Sequence, residues 1–199
     1  MLLIAGTLAA QPKALAPDDP LVLRLQRSAS ETKALQASFT QEKSYRFMTA
    51  PLVSQGSFSF QRPDRMRWQV QGDDALVMLM SGGKVRVMEK GSELELNTVD
   101  RHLYTGIADL VNGIVSGQLL TSRKVKATYA VDGDALLVTV DPQNERMSKR
   151  FGSIEMRFGS DDLLLDELRI TEADGDRTTW LFSNAVRDPA LPAKTFTEF

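Results

Sequence analysis

Carboxylates are the groups in this chain best placed for chemistry: Asp161, Asp162, Asp166 and Glu167 crowd one short segment. A paired acid and base of that kind serves glycoside hydrolysis. Here the four flank Leu163, Leu164 and Leu165, and they read as solvated turn residues. His102 is the sole histidine, so no histidine cluster offers metal-ligand spacing. Cysteine is absent, which excludes disulfides, thiolate metal sites and cysteine nucleophiles. Neither a Gly-x-Ser-x-Gly elbow nor a Gly-rich phosphate loop occurs. The sequence predicts neither an enzyme nor a cofactor or metal site.

The stronger pattern is apolar. Phe58, Phe60, Met66, Trp68 and Val70 recur at every second position on either side of Arg62, Pro63 and Asp64. Two strands joined by a tight turn would present them on one face. Leu35, Ala37 and Phe39 alternate in the same way, and Met78 and Met80 continue the pattern. Methionine is flexible and polarizable, which suits either gap-filling in a core or contact with ligands of varying shape. Arg62 falls on the face of Phe60 and Met66, where a guanidinium at a rim must find acceptors or stay wet.

The elements that would position these residues follow from periodicity and turn chemistry. Asp19 is a candidate N-cap ahead of Pro20, and Leu21, Val22, Leu25 and Ala29 keep one helical stripe. A strand starts at Leu35, and 47–55, holding Pro51, reads as a loop. Strands are predicted near 56–62, 65–71, 75–81, 84–89 and 93–97, then 125–131, 135–141, 151–158, 163–171 and 177–183. Turns at Asp132, Gly133, Asp134 and at Asp174, Gly175, Asp176 carry hairpin chemistry. Between 104 and 120, Ile107, Leu110, Val111, Ile114 and Val115 recur at helical spacing, so one helix interrupts the sheet, as packing or as a lid. The fold class is α+β: a long antiparallel sheet that must curl, giving a strongly curved, incompletely closed (half-open) β-barrel with helices covering the concave face. Helices fixed there would make an ordinary core; loosely seated, they would leave a cavity.

With 199 residues, a net charge of −2 and a pI near 5.5, the chain is most simply one domain, and no basic field points to nucleic acid. The stretch from Met1 to Ala10 resembles the apolar part and small-residue end of a secretory signal, without the basic residues that usually open one. Residues 1–16 are expected to be a signal peptide, cut after Ala9 or Ala10, and 17–199 the domain.

Residue for residue, the chain resembles the LolA family of periplasmic lipoprotein carriers. The likeness runs through Leu35 to Gln41, the Gly56 to Trp68 hairpin with its Arg62-Pro63 turn, Ser81-Gly82-Gly83-Lys84, Val138 to Pro142, and the hairpin from Asp174 to Phe182. It implies a periplasmic monomer that accepts acylated lipoproteins or other lipids from an inner-membrane donor complex and passes them to an outer-membrane acceptor. Without cysteine, the chain cannot itself be lipid-anchored as that receptor is. The implied lipid-binding residues are Phe39, Phe58, Phe60, Met66, Trp68, Met78 and Met80 from strands, with Ile107, Leu110, Val111 and Ile114 from the inserted helix. Met66 stands where the family's Arg-Pro-x-x-Phe-x-Trp pattern has an aromatic, and Trp68 matches its Trp. Arg62 is implied to be a lid latch, bonded to lid backbone carbonyls in the closed form. Val85 to Glu89 replace an aromatic stretch of the family, and the chain stops at Phe199 where better-known carriers continue. A paralogue carrying another lipid or glycolipid, and a periplasmic sensor or scaffold with a filled concave face, are therefore alternatives.

Overall fold

The computed structural model describes residues 11–73, 75–123, 125–143 and 145–199. The apolar stretch read as a leader, Met1 to Ala10, lies outside them. The described residues form one antiparallel sheet of twelve strands. These are β1 (Lys13–Leu15), β2 (Ala34–Ser44), β3 (Leu52–Gln61), β4 (Arg65–Val70), β5 (Leu76–Ser81), β6 (Lys84–Glu89), β7 (Ser92–Glu93), β8 (Val125–Asp132), β9 (Ala135–Pro142), β10 (Phe151–Gly159), β11 (Leu165–Glu172) and β12 (Arg177–Arg187). Helices α1 (Pro20–Glu31), α2 (Thr98–Val115) and the single turn α3 (Glu145–Ser148) complete the elements named here. The sheet order is β1-β8-β9-β10-β11-β12-β2-β3-β4-β5-β6-β7, so β1 and β7 are edges and the barrel does not close.

Curvature follows from what the strands share. Trp68 on β4 and Phe158 on β10 line one cleft, although five strand spacings, about 24 Å in a flat sheet, separate them in the order. Close packing on the concave side is legible at Gly56, which faces Phe39 across β2 and β3. A Cβ at Gly56 would lie 2.2 Å from the Phe39 ring. Its absence lets that ring lie flat over the strand and stack on Trp68, with centroids 4.7 Å apart.

Several boundaries differ from the periodicity reading. The predicted loop over 47–55 is shorter, because Leu52 to Gln55 pair with Lys43 to Thr40 on the long edge that β2 offers. Pro51 lies just outside, where no ladder donor is lost. Of 93–97, only Glu93 pairs in a strand; Leu94 and Leu96 turn in to pack against the apolar residues of β3–β6. Next, Asn97 caps α2 by accepting from Val99 and Asp100 N–H at 2.8 and 3.0 Å. The helix predicted within 104–120 thus starts at Thr98 and stops at Val115, where Gly117, at φ +74°, supplies the left-handed residue of a helix C-terminus. The third leucine, Leu165, opens β11, two residues after the predicted start, because Leu163 has φ +54°. The sheet also takes in Lys13–Leu15, ahead of position 17. Asp19 caps α1 as its sequence position predicts, accepting from Leu21 N–H at 2.9 Å.

Two groups of buried side chains occupy the concave side. One gathers Val22 and Leu25 of α1 with residues of β8–β11. The other gathers Phe39, Phe58, Phe60, Met66, Trp68, Met78, Met80 and Val87 of β2–β6. Helix α2 lies on the seam, giving Leu110 and Ile114 to the first and Ala108 and Val111 to the second. On the outer face, a 3₁₀ turn, Ala193–Phe196, packs on β4 and β5 with Phe196 buried. Arg67 holds it by donating to the carbonyls of Thr195 and Glu198 at 3.4 and 2.6 Å.

Candidate functional site

Between the two buried groups runs an apolar cleft of about 770 Å³, counting the part open to solvent. Its walls come from α1 (Leu25, Ala29), α2 (Val111, Ile114, Val115), β2–β4 (Leu35, Ala37, Phe58, Trp68) and β10–β12 (Phe158, Leu165, Leu168, Phe182, Ala185), with Leu163 and Leu164 from the connecting turn. The aromatic floor is ordered by edge contacts: Trp68 meets Phe58 at 5.5 Å and Trp180 at 5.6 Å. Trp180 in turn donates its indole N–H to Gln41 Oε1 at 2.9 Å, and the Gln41 amide donates to Ser54 Oγ at 3.0 Å. The polar tip of Trp180 is thereby satisfied below an apolar surface.

Of the residues singled out from sequence, Phe58, Trp68, Val111 and Ile114 line the cleft. Phe39 lies beneath, stacked on Trp68. Phe60, Met66, Met78, Met80 and Leu110 are buried in packing, and Ile107 is partly buried against the same group, none of them in the cleft wall. Met66 is 0% exposed, so it sits in closed packing rather than at a wet rim. The cause is the seating of α2 on the sheet, where Tyr104, Ile107 and Ala108 pack over the apolar residues of β3–β6. Leucines 163–165 show no alternation of their own, and the sequence reads them as the start of a strand beside solvated carboxylates. In the structure they form the wall opposite α2.

Arg62 closes one end of this arrangement. Its Nε donates to the carbonyl of Thr32 at 2.7 Å, and Nη2 donates to the carbonyls of Ala29 at 2.8 Å and Ser116 at 3.4 Å. The two short bonds fall on the C-terminal turn of α1, and the longest reaches the C-cap of α2. One guanidinium can span both helix ends because they approach closely: a Cβ at Gly117 would stand 2.9 Å from Ala29 Cβ. Free carbonyls at helix C-termini are suited to a cation.

Of the carboxylates, Asp162 and Asp166 stay close together, both beside Gly159, while Glu167 turns away. Asp166 and Glu167 are adjacent on a strand and point to opposite faces. Glu167 pairs with Arg169 at 2.6 Å, and Asp162 Oδ1 accepts from Leu164 N–H at 2.9 Å. Burial, then the neighbouring Asp162 charge, raise the Asp166 pKa. His102 is exposed, its Nδ1 2.6 Å from the Thr98 carbonyl. No group of three or more potential metal ligands occurs among the described residues, and no helix among them is long and apolar enough to cross a membrane.

Comparison with known proteins decides the family. The family profile described as outer membrane lipoprotein carrier protein LolA matches residues 30–198. The chain belongs to the LolA family. Curated relatives include an outer-membrane lipoprotein carrier protein of Pseudomonas paraeruginosa, 24% identical over 98% of this chain and 91% of its own length. Another, of Dechloromonas aromatica, is 27% identical over 83% of this chain and 76% of its own length. Among solved structures, a LolA superfamily protein from Nitrosomonas europaea aligns with TM-score 0.45 at 9% identity, covering 88% of this chain and 97% of that one. The Mycobacterium tuberculosis lipoprotein LppX aligns with TM-score 0.46 at 12% identity, over 87% of this chain and 99% of that one.

Proposed function

We propose that this protein is a periplasmic carrier that takes an acylated molecule from an inner-membrane donor, shields its hydrocarbon and delivers it to an outer-membrane acceptor. The observation that carries the reading is an apolar cleft roofed by α1 and α2, whose C-terminal ends Arg62 ties together through two bonds to carbonyls at the end of α1 and one, the longest, to the C-cap of α2. A covalent mechanism is not required. Acyl chains cost about 0.8 kcal/mol per CH₂ in water, so a moving chain needs a shield. Delivery also needs release, and hydrogen bonds from a charged donor, about 1.5 to 3 kcal/mol, are weak enough to be made and broken in each cycle. Lipoprotein acyl groups are the cargo that the names of the curated relatives suggest. The test is extraction of protein purified from a periplasmic fraction, followed by mass spectrometry. Recovery of a stoichiometric acylated molecule is expected. Protein that retains none, and takes up none from donor vesicles, would refute the carrier reading.

A further inference from the structure

Arg187 is the charged residue in the lining of the cleft, which is otherwise apolar apart from Thr32. Its presence there depends on a bulge. Counting from Phe182, which pairs with Phe39, period two would send residue 187 to the outer face. The register instead shifts between Ser183 and Val186, with Asn184 at φ +52°, and Arg187 pairs with Leu35, a cleft residue. One inserted residue thus turns the guanidinium inward.

What meets it there is incomplete. Nη2 donates to the carbonyls of Asp162 and Leu163 at 2.9 and 3.3 Å. Leu163 holds that turn in a left-handed conformation, φ +54°. Nε is buried and has no acceptor among the described residues. Among the described residues Arg187 forms no ion pair within 4 Å, although Asp161, Asp162 and Asp188 share a surface groove with it and its charge is felt by Asp188. Asp188 accepts from the N–H groups of Lys33 and Ala34 at 2.7 and 2.9 Å, and Asp162 from that of Leu164 at 2.9 Å. A buried N–H on a cation without an acceptor is costly, and a ligand that brings an anionic oxygen removes that cost.

We propose that Arg187 is a head-group site: the cleft takes an amphiphile whose anionic head, carboxylate or phosphate, binds Arg187 while its hydrocarbon lies along Phe182, Trp68 and Ile114. This rests on the carrier reading and directs it to acid-headed lipids, in place of the lipoprotein acyl groups that the relatives' names suggest.

Binding of myristate, 1-myristoylglycerol 3-phosphate and uncharged 1-myristoylglycerol is measured by titration calorimetry at pH 8, for the wild type and for Arg187→Gln. The wild type is expected to prefer at least one anionic ligand over the neutral one by about tenfold or more, as a charge-assisted bond gives. Arg187→Gln should bind all three alike, with an unchanged far-ultraviolet spectrum. Stronger binding of myristate identifies a carboxylate head, and of the phosphate a phosphate head. Equal binding of all three by the wild type overturns the head-group site and leaves the carrier reading standing, as does a preference that survives in Arg187→Gln. Binding of none overturns both. Should Arg187→Gln fail to fold, the wild-type preference still decides, with Arg187→Lys, which keeps the charge, expected to retain part of it.

Discussion

A guanidinium can act as a fastening only if its acceptors lack other partners, and the acceptors of Arg62 qualify. Residues at the last turn of a helix have carbonyls with no donor further along the helix. Ala29 and Thr32 end α1, and Ser116 caps α2. Arg62→Leu removes all three bonds while the apolar stem remains. If closure of the joined ends of α1 and α2 competes with cargo, the loss of about 1.5 to 3 kcal/mol from the closed form strengthens retention roughly 10- to 150-fold, because accepting and releasing cargo are reciprocal. The variant should load normally, accumulate in a cargo-bound form and transfer slowly to acceptor vesicles. Release at the wild-type rate after normal loading would reduce Arg62 to a structural tie between two helices. Met66 shows the opposite limit of residue-level inference. Its alternation correctly gave the concave face, but exposure depends on what lies over that face, and α2 lies there.

Element positions were legible where one face is buried. Alternation marks such strands because a slip of one residue would expose every apolar side chain, and β4, β5, β6 and β9 lie within a residue or two of the expected bounds. The reading failed where pairing or caps, rather than burial, set the limit: Leu52 to Gln55 are strand because β2 extends beside them, and α2 begins at a polar cap six residues before its first strongly apolar turn. Of the site, Phe58 and Trp68 were legible from period two, and Val111 and Ile114 from period 3.6. Arg187 was hidden by a bulge, which resets the face of everything after it. The end of β12 has its own fastening in Asp188, whose carboxylate accepts from Ala34 and Lys33 N–H at the start of β2. Those backbone hydrogen bonds lower its pKa below the ordinary carboxylate value. A group depressed in the folded state adds stability above its unfolded pKa, near 3.9, and loses it as pH falls through the folded value. Asp188→Asn should therefore have a lower urea midpoint than wild type at pH 7, with the difference shrinking as pH falls below about 4. A gap unchanged down to pH 2 would show that shape, not charge, is what the site uses.

At the scale of the whole molecule the decisive quantity is room. The enclosed part of the cleft has room for a few waters and falls far short of an acyl chain. Cargo must then take the place of something, and α2 is the element to displace, since its Ala108, Leu110, Val111 and Ile114 fill the seam between the two sheet halves. The exchange is close to balanced. Exposing those side chains costs about 1 to 3 kcal/mol each, and burying a chain of about sixteen carbons returns at most about 13 kcal/mol, less what the partly wet mouth leaves exposed. A near balance is what a carrier needs, because a chain held much more tightly would not be delivered. Hydrogen exchange can read this directly. On loading, amides of 98–115 should lose protection while those of β2 and β3, paired over ten residue positions, keep theirs. Loss of protection confined to α2 fits displacement of a lid. Unchanged or increased protection in α2 would mean that the acyl chain enters without moving it, and the closed cleft would then have to widen at its other wall, along residues 163–165.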